Sequence, residues 1–446
     1  MVCKLLLAFP VSRTVFDAGR IFVTGTLVRI DKHGEPRFLG PMEALKLGFI
    51  LIAILVALRR NISVGVTLLA MGPLTALLYQ VPVSPLWDAY RAVAGSQHFI
   101  SLTTLVVFIT IIGSLLKALG YLDRLAGACR NLYGGARTAS VVLPPLVGLM
   151  PMPGGSLLSA PLIDSILKNP RYTPHLKCAV NYWFRHLIEF TWPVYAGILL
   201  TAALTQMSVA RVSLLQAPFS LAMLLIGLFV FTRRIDNEPV ENPSFWEPLK
   251  GIAGSIWPVA LAILLYGIFR LDLAISAALA LVTLVIVARP SRAALTRSLK
   301  EGFSLKLLIL IYGVLTFQRI LDLSGGVRSI PRLASDYGLP EEVIIITVCF
   351  VIGLLTGMVS AYVGLGYSLL SGLLYQPVLN PGYIMLASMS GFIGMMMSPA
   401  HLCLVVTNEY FGSELLKVLR QLAFPLALFA LSAVGLYFIG YGNLFI

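Results

Sequence analysis

The chain has 446 residues, of which 58% are hydrophobic and only 12% charged, and its mean hydropathy is +0.88. That balance excludes a soluble globular domain and describes a polytopic membrane protein. The formal charge of +13 does not point to nucleic acid, because the basic residues sit in short loops between apolar runs, where the positive-inside rule places them.

The N-terminal extension, residues 1–41, mixes Arg13, Asp17, Arg20, Arg29, Asp31, Lys32, Glu35 and Arg37 with short apolar patches. It lacks the contiguous apolar region and cleavage site of a signal peptide. Met42 stands just before the first strong span and reads as an alternative initiator, the extension then being a mis-assigned start; N-terminal mass spectrometry of the native protein decides this.

Apolar spans follow at 44–58, 62–79, 99–117, 176–207 and 212–232, each near the length that crosses the hydrocarbon as a helix. Nothing shows the short alternating segments of a membrane barrel, so the expected class is all-α. Between the third and fourth spans lies LMPMPGGSLLSAPL (149–162), whose prolines and paired glycines interrupt an apolar segment. In lipid such a run leaves peptide groups unpaired unless protein or water meets them. The expected form is a re-entrant hairpin.

The fourth span carries NYWFRHLIEFTWP, with Asn181, Arg185 and Glu189 at helical spacing and His186 beside them. Charges inside a span are costly and face a partner or a cavity. Arg185 is therefore expected to bind an anionic solute and His186 or Glu189 to carry a coupling cation. The competing structural reading is an Arg185–Glu189 ion pair.

A charged linker at 233–250 is followed by spans at 251–268, 272–288, 307–323, 383–411 and 421–440, with a second interrupted pair at 343–375. The order repeats: GGSLLSAPL (154–162) answers GYSLLSGLL (366–374), and Pro193 answers Pro399, each within a long span. Residues 42–232 and 251–446 are thus expected to be two repeats of five transmembrane helices plus one re-entrant hairpin each. An odd number of crossings makes the repeats inverted. With Arg59 and Arg60 inside, the cytoplasmic side collects Lys117, Arg124, Arg171, Arg233, Arg234, Arg289, Arg292, Lys417 and Arg420 among others, and the opposite side gets only Arg91, Arg211, Arg270, Arg328 and Arg332 besides the extension. Both termini then lie outside. Amphipathic stretches at 121–133 and 327–337 read as interfacial or loop helices.

Gly/Pro-broken segments at corresponding places of two inverted halves point to a solute site near the bilayer midplane, where helix ends leave free N–H groups for anions and free carbonyls for cations. The expected solute ligands are Gly154, Gly155, Ser156, Asn181, Arg185, Ser360, Gly364, Ser398 and His401. Thr356, Gly357, His186, Glu189 and Asn408 are expected at a coupling ion, Na+ or H+; no other cofactor is indicated. Cys3, Cys129, Cys178, Cys349 and Cys403 are scattered singly, with no disulfide framework or zinc spacing, and read as small packing residues. The sequence has no HExxH, GxSxG, Walker motif or paired aspartates in spans, so an enzyme or ATP-driven pump is not expected.

The MPMPGG hairpin, FRHLIEFTWP, GLLTGMVSAYVGLGYSLLSG and SPAHLCLVVTNEYFG together resemble a prokaryotic membrane protein family catalogued as a domain of unknown function within the ion transporter superfamily. The resemblance runs from Met42 to the C-terminus. It implies an architecture similar to the divalent-anion/sodium symporters and gluconate permeases, with a scaffold that often dimerises, a moving transport domain and carboxylate substrates. The Ser-Asn-Thr hairpin tips of the dicarboxylate symporters are absent here, so substrate and coupling ion do not carry over. The overall expectation is a cation-coupled secondary transporter in the cell membrane; a channel using the same broken helices is the alternative.

Overall fold

A computed structural model of the chain describes residues 20–23, 26–29, 40–60, 62–130, 135–149, 156–236, 246–326, 338–375 and 378–445. Two short strands, β1 (Arg20–Val23) and β2 (Thr26–Arg29), form an antiparallel ribbon in the N-terminal extension. Every other element is helical.

The first half runs α1 (Gly40–Arg59), α2 (Val64–Leu78), α3 (Val83–Ala94), α4 (Gln97–Ala118), α5 (Tyr121–Arg130), α6 (Gly135–Gly148), α7 (Ser156–Ile166), α8 (Pro174–Arg185), α9 (Ala196–Thr205) and α10 (Val209–Val230). The second runs α11 (Trp246–Gly267), α12 (Leu273–Ala288), α13 (Arg292–Gly302), α14 (Leu305–Ser324) and α15 (Glu341–Thr356). A helical turn Val359–Ala361 then enters a π-helical turn Tyr362–Tyr367 and a short helix Ser371–Leu374. The chain closes with α16 (Pro381–Met396), α17 (Leu402–Phe411) and α18 (Leu415–Phe438).

Among the described residues, five helical stretches are long and apolar enough to cross a membrane, and shorter apolar helices accompany them. The surface agrees with lipid contact: on α12, Ile275, Leu279, Val282 and Ile286 form an exposed stripe at helical spacing, and Leu221, Leu225 and Leu228 continue one on α10. Inside, α16 is buried over nearly its whole length. It can lie that close to α15 because a Cβ added at Gly394 would meet the Phe350 carbonyl oxygen at 2.1 Å, and one at Gly353 the Gly391 oxygen at 2.1 Å; small residues let helix backbones touch.

The structure corrects the sequence reading in several places. The broken helix expected at Pro193 within 176–207 is present but opens earlier: α8 stops at Arg185 and the path resumes as α9 only at Ala196. Likewise 383–411 divides into α16 and α17 around residues 397–401. Two amphipathic helices not anticipated, α3 and α13, precede α4 and α14. The stretch 121–133 is helical from Tyr121 to Arg130, whereas 327–337 lies outside the described residues.

Candidate functional site

The two interrupted helices meet. The reason α8 ends is local: the His186 backbone N–H bonds the Trp183 carbonyl, and its ring Nδ1 takes the Tyr182 carbonyl at 2.7 Å. That carbonyl is the partner an uninterrupted helix would give to the 186 N–H, so the side chain displaces the main chain and the helix unwinds. Asn181, Arg185 and Glu189 therefore do not share one helical face; Glu189 lies in the unwound segment 186–195.

Arg185 is 2% exposed. Its Nη1 donates to the Tyr195 hydroxyl at 2.8 Å, and that hydroxyl donates to the Gly148 carbonyl at 2.6 Å, while Trp192 Nε1 donates to the Leu149 carbonyl at 2.9 Å. The two aromatic residues thus cap the end of α6, the arm that leads into the first hairpin. The Arg185–Glu189 ion pair weighed from sequence does not form. Arg185 Nε and Glu189 Oε2 are buried without hydrogen-bond partners, and the nearest base to Glu189 is His186, with Nε2 at 3.9 Å from Oε1.

From the second half, His401 stands at the head of α17. Its Nδ1 bonds the Gly357 carbonyl at 2.6 Å, and its Nε2 faces His186 Nε2 at 3.1 Å. Gly357 ends α15 with φ of +62°, and a Cβ there would lie 2.6 Å from the His401 nitrogen. Only glycine meets both demands cheaply. A backbone carbonyl only accepts, so both histidines carry their proton on Nδ1 and present a bare lone pair on Nε2. Two lone pairs at 3.1 Å call for a positive ion between them, a proton or a metal.

The Cys403 thiol completes the cluster: the ligating atoms of His186, His401 and Cys403 lie within 4.8 Å of one another. The reading of Cys403 as a packing residue did not anticipate this proximity to the two histidines. The available signal was the triplet HLC just past Pro399, which sets two soft ligands at the head of one half-helix. Tyr182 and Tyr195, which spacing did not single out, also matter; the Tyr182 hydroxyl donates to the Met396 carbonyl at the end of α16 at 3.3 Å. Beneath the histidines, Phe190, Phe219, Phe392 and Phe429 pack with ring centres 4.5–5.8 Å apart.

Other expected ligands fall at various distances from this center. Asn181 is buried on α8 and donates to Thr407 Oγ1 at 3.4 Å, a link between the two broken helices. Ser398 lies in the second break, where its hydroxyl accepts from the Ala400 N–H at 3.2 Å. Thr356 closes α15, its hydroxyl donating to the Ile352 carbonyl and accepting from the Met358 N–H. Ser360 and Gly364 are buried on the returning arm, Gly364 against Val314 of α14. Asn408 is two turns down α17, where it accepts a hydrogen bond from Ser413 at 2.5 Å. Ser156 is the first residue of α7, and Gly154 and Gly155 lie outside the described residues.

The fold is similar to that of the Alcanivorax borkumensis YdaH transporter, whose crystal structure is described as having an unusual topology. The TM-score is 0.52 at 14% identity, over 90% of this chain and 99% of that one. No curated protein matches the chain. Residues 42–439 match a family described as a protein of unknown function, DUF401, and the chain belongs to that family.

Proposed function

We propose that the protein is a secondary active transporter of the cell membrane, coupled to Na+ or H+, that moves a small organic anion such as a carboxylate by alternating access. What carries this reading is the meeting of the two broken helices, which brings buried Arg185, His186 and His401 and the partly buried Glu189 to one place beside the Gly357 carbonyl. Such groups are expensive in a membrane interior and are kept there for a solute or an ion.

The inverted repeat is part of the proposal. Each half gives, in order, a long helix, a shorter apolar one, a short amphipathic one, a long one, a hairpin, a broken helix and a long helix. The packing exchanges partners between halves, α2 lying on α14 and α4 on α12. In the proposed site, Arg185 pairs with the carboxylate through its unpartnered Nε, and the N–H groups at the heads of α9 and α17, whose first positions have no side-chain caps, complete the anion's surroundings. Ser360 and Gly364, with Asn181, Ser398 and His401, are assigned to its surroundings; the expected ligands Gly154, Gly155 and Ser156 stay with the proposal as sequence assignments only. Thr356, Gly357, His186, Glu189 and Asn408 are assigned to the coupling ion, Asn408 also accepting a hydrogen bond from Ser413. Linker 233–250 is assigned to the cytoplasm and both termini to the outside, and the scaffold is assigned a homodimer contact.

The test begins with a thermal-shift screen of purified protein against carboxylates, with and without Na+ and across pH, since a ligand of the folded state raises its apparent stability. Proteoliposomes preloaded with the selected anion are expected to show counterflow of labelled anion, and uptake driven by either a Na+ or a pH gradient. Ohmic single-channel currents without counterflow would replace the carrier by a channel.

A further inference from the structure

We propose that His186, His401 and Cys403 form a binding site for a borderline divalent transition-metal ion of the zinc type, with the Glu189 carboxylate 3.9 Å from His186 and outside the triad. The site shares His186 with the position given above to the coupling ion, so a metal bound there takes the place of Na+ or H+ at that residue; the metal-binding test does not depend on which solute is carried.

Geometry supports it first. Zinc holds imidazole nitrogen at about 2.0–2.1 Å and thiolate sulfur at about 2.3 Å, so tetrahedral ligation puts two nitrogens about 3.3 Å apart. The two Nε2 atoms are 3.1 Å apart, and the Cys403 sulfur is within 4.8 Å of both. Glu189 Oε1 stands 3.9 Å from His186 Nε2, and its other oxygen has no hydrogen-bond partner.

Orientation supports it second. Ligating histidines characteristically donate their other ring N–H to a carbonyl or carboxylate, which fixes the tautomer and the ring plane. Here both do so, to the Tyr182 and Gly357 carbonyls at 2.7 and 2.6 Å. The lone pairs needed for a metal are therefore already aimed at one another. A bridging proton serves the two nitrogens, and the thiol can hydrogen-bond His186; the convergence of two nitrogens and a sulfur on one point is what favours a metal.

The donor set selects the ion. Two imidazoles and a sulfur suit zinc, cobalt or copper, whereas magnesium, calcium and sodium prefer oxygen. The ligands come from the unwound segment after α8 and from the head of α17, and His401 is itself held by the tip of α15. A bound ion thus ties both breaks together.

The experiment uses the full-length protein, purified in detergent and stripped by chelator. Added Zn2+ alone is expected to leave one ion per chain after desalting and to raise the melting temperature. Co2+ in its place is expected to give tetrahedral d–d bands and a thiolate-to-cobalt charge-transfer band, a readout that needs no variant. Cys403→Ser should remove the charge-transfer band and weaken binding about 10- to 100-fold. Cys349→Ser, at a buried cysteine outside the cluster, should keep both. His401→Gln retains an N–H for the Gly357 carbonyl and should lose binding without lowering the apo melting temperature. Substoichiometric zinc, a cobalt spectrum lacking thiolate character, or full binding in Cys403→Ser would each overturn the site.

Discussion

The two helix breaks solve one physical problem in different ways. The first, 186–195, is twice as long as the second, 397–401, and carries His186 and Glu189 with Arg185 at its lip. It is held by aromatic side chains: Phe190 in the phenylalanine cluster, and Trp192 and Tyr195 on the α6 carbonyls. The second contributes one histidine and a serine, and is held by close backbone approach at Gly357. The first half thus supplies charge and the second supplies the frame. In two halves of similar element order, that difference separates a break rich in ionisable groups from one fixed by backbone shape.

The largest expected effect tests the charged side. Arg185→Ala should eliminate anion uptake in proteoliposomes while leaving expression and detergent solubility intact; uptake at the wild-type rate would reduce Arg185 to a tether for Tyr195. Next comes the aromatic clamp. Phe190 is 2% exposed, and Phe190→Ala should cost about 3–5 kcal/mol of stability, read in chemical unfolding of the purified protein. A cost below about 1 kcal/mol would mean that the long break is not packed as described.

The frame is probed by two glycines with nearly equal backbone angles. Gly357 has φ of +62° and no room for a Cβ, whereas Gly412 has φ of +59° and nothing within 4 Å of that position. Gly412→Ala should cost about 1–2 kcal/mol from backbone strain alone. Gly357→Ala should cost more and also shift His401, visible as an altered response to the coupling ion. Equal losses would remove the steric half of the explanation. The smallest effect on stability is expected at Ser398→Ala, about 0.5–1.5 kcal/mol from the lost hydrogen bond to the Ala400 N–H, read in chemical unfolding of the purified protein.

Much of this was legible in the sequence, for definable reasons. Span positions follow from hydropathy, and the two broken regions follow from Gly and Pro at membrane depth. Arg185, His186, Glu189 and His401 announce themselves because ionisable side chains are rare in apolar runs. Where α8 ends was not legible. Pro193 marks the break, yet the helix yields eight residues earlier, because His186 competes for the Tyr182 carbonyl. No residue pattern states that a ring nitrogen will win that competition. Cys403 was missed for a related reason: its partner His186 lies 217 positions away, and only the fold joins them. The amphipathic α3 and α13 were too short to register as spans. In α13 the sign was a polar contact with α4, where Ser114 Oγ lies 2.6 Å from Glu301 Oε2.

The bonds from Trp192 and Tyr195 to α6, and from His401 to the end of α15, have a mechanical consequence. Sliding α6 or α15 past its neighbouring break would strand several carbonyls in a place where water is scarce, at a cost of about 1–3 kcal/mol apiece. These helices and breaks are therefore geared together, and any large displacement must be taken up at seams where side chains merely rest on one another.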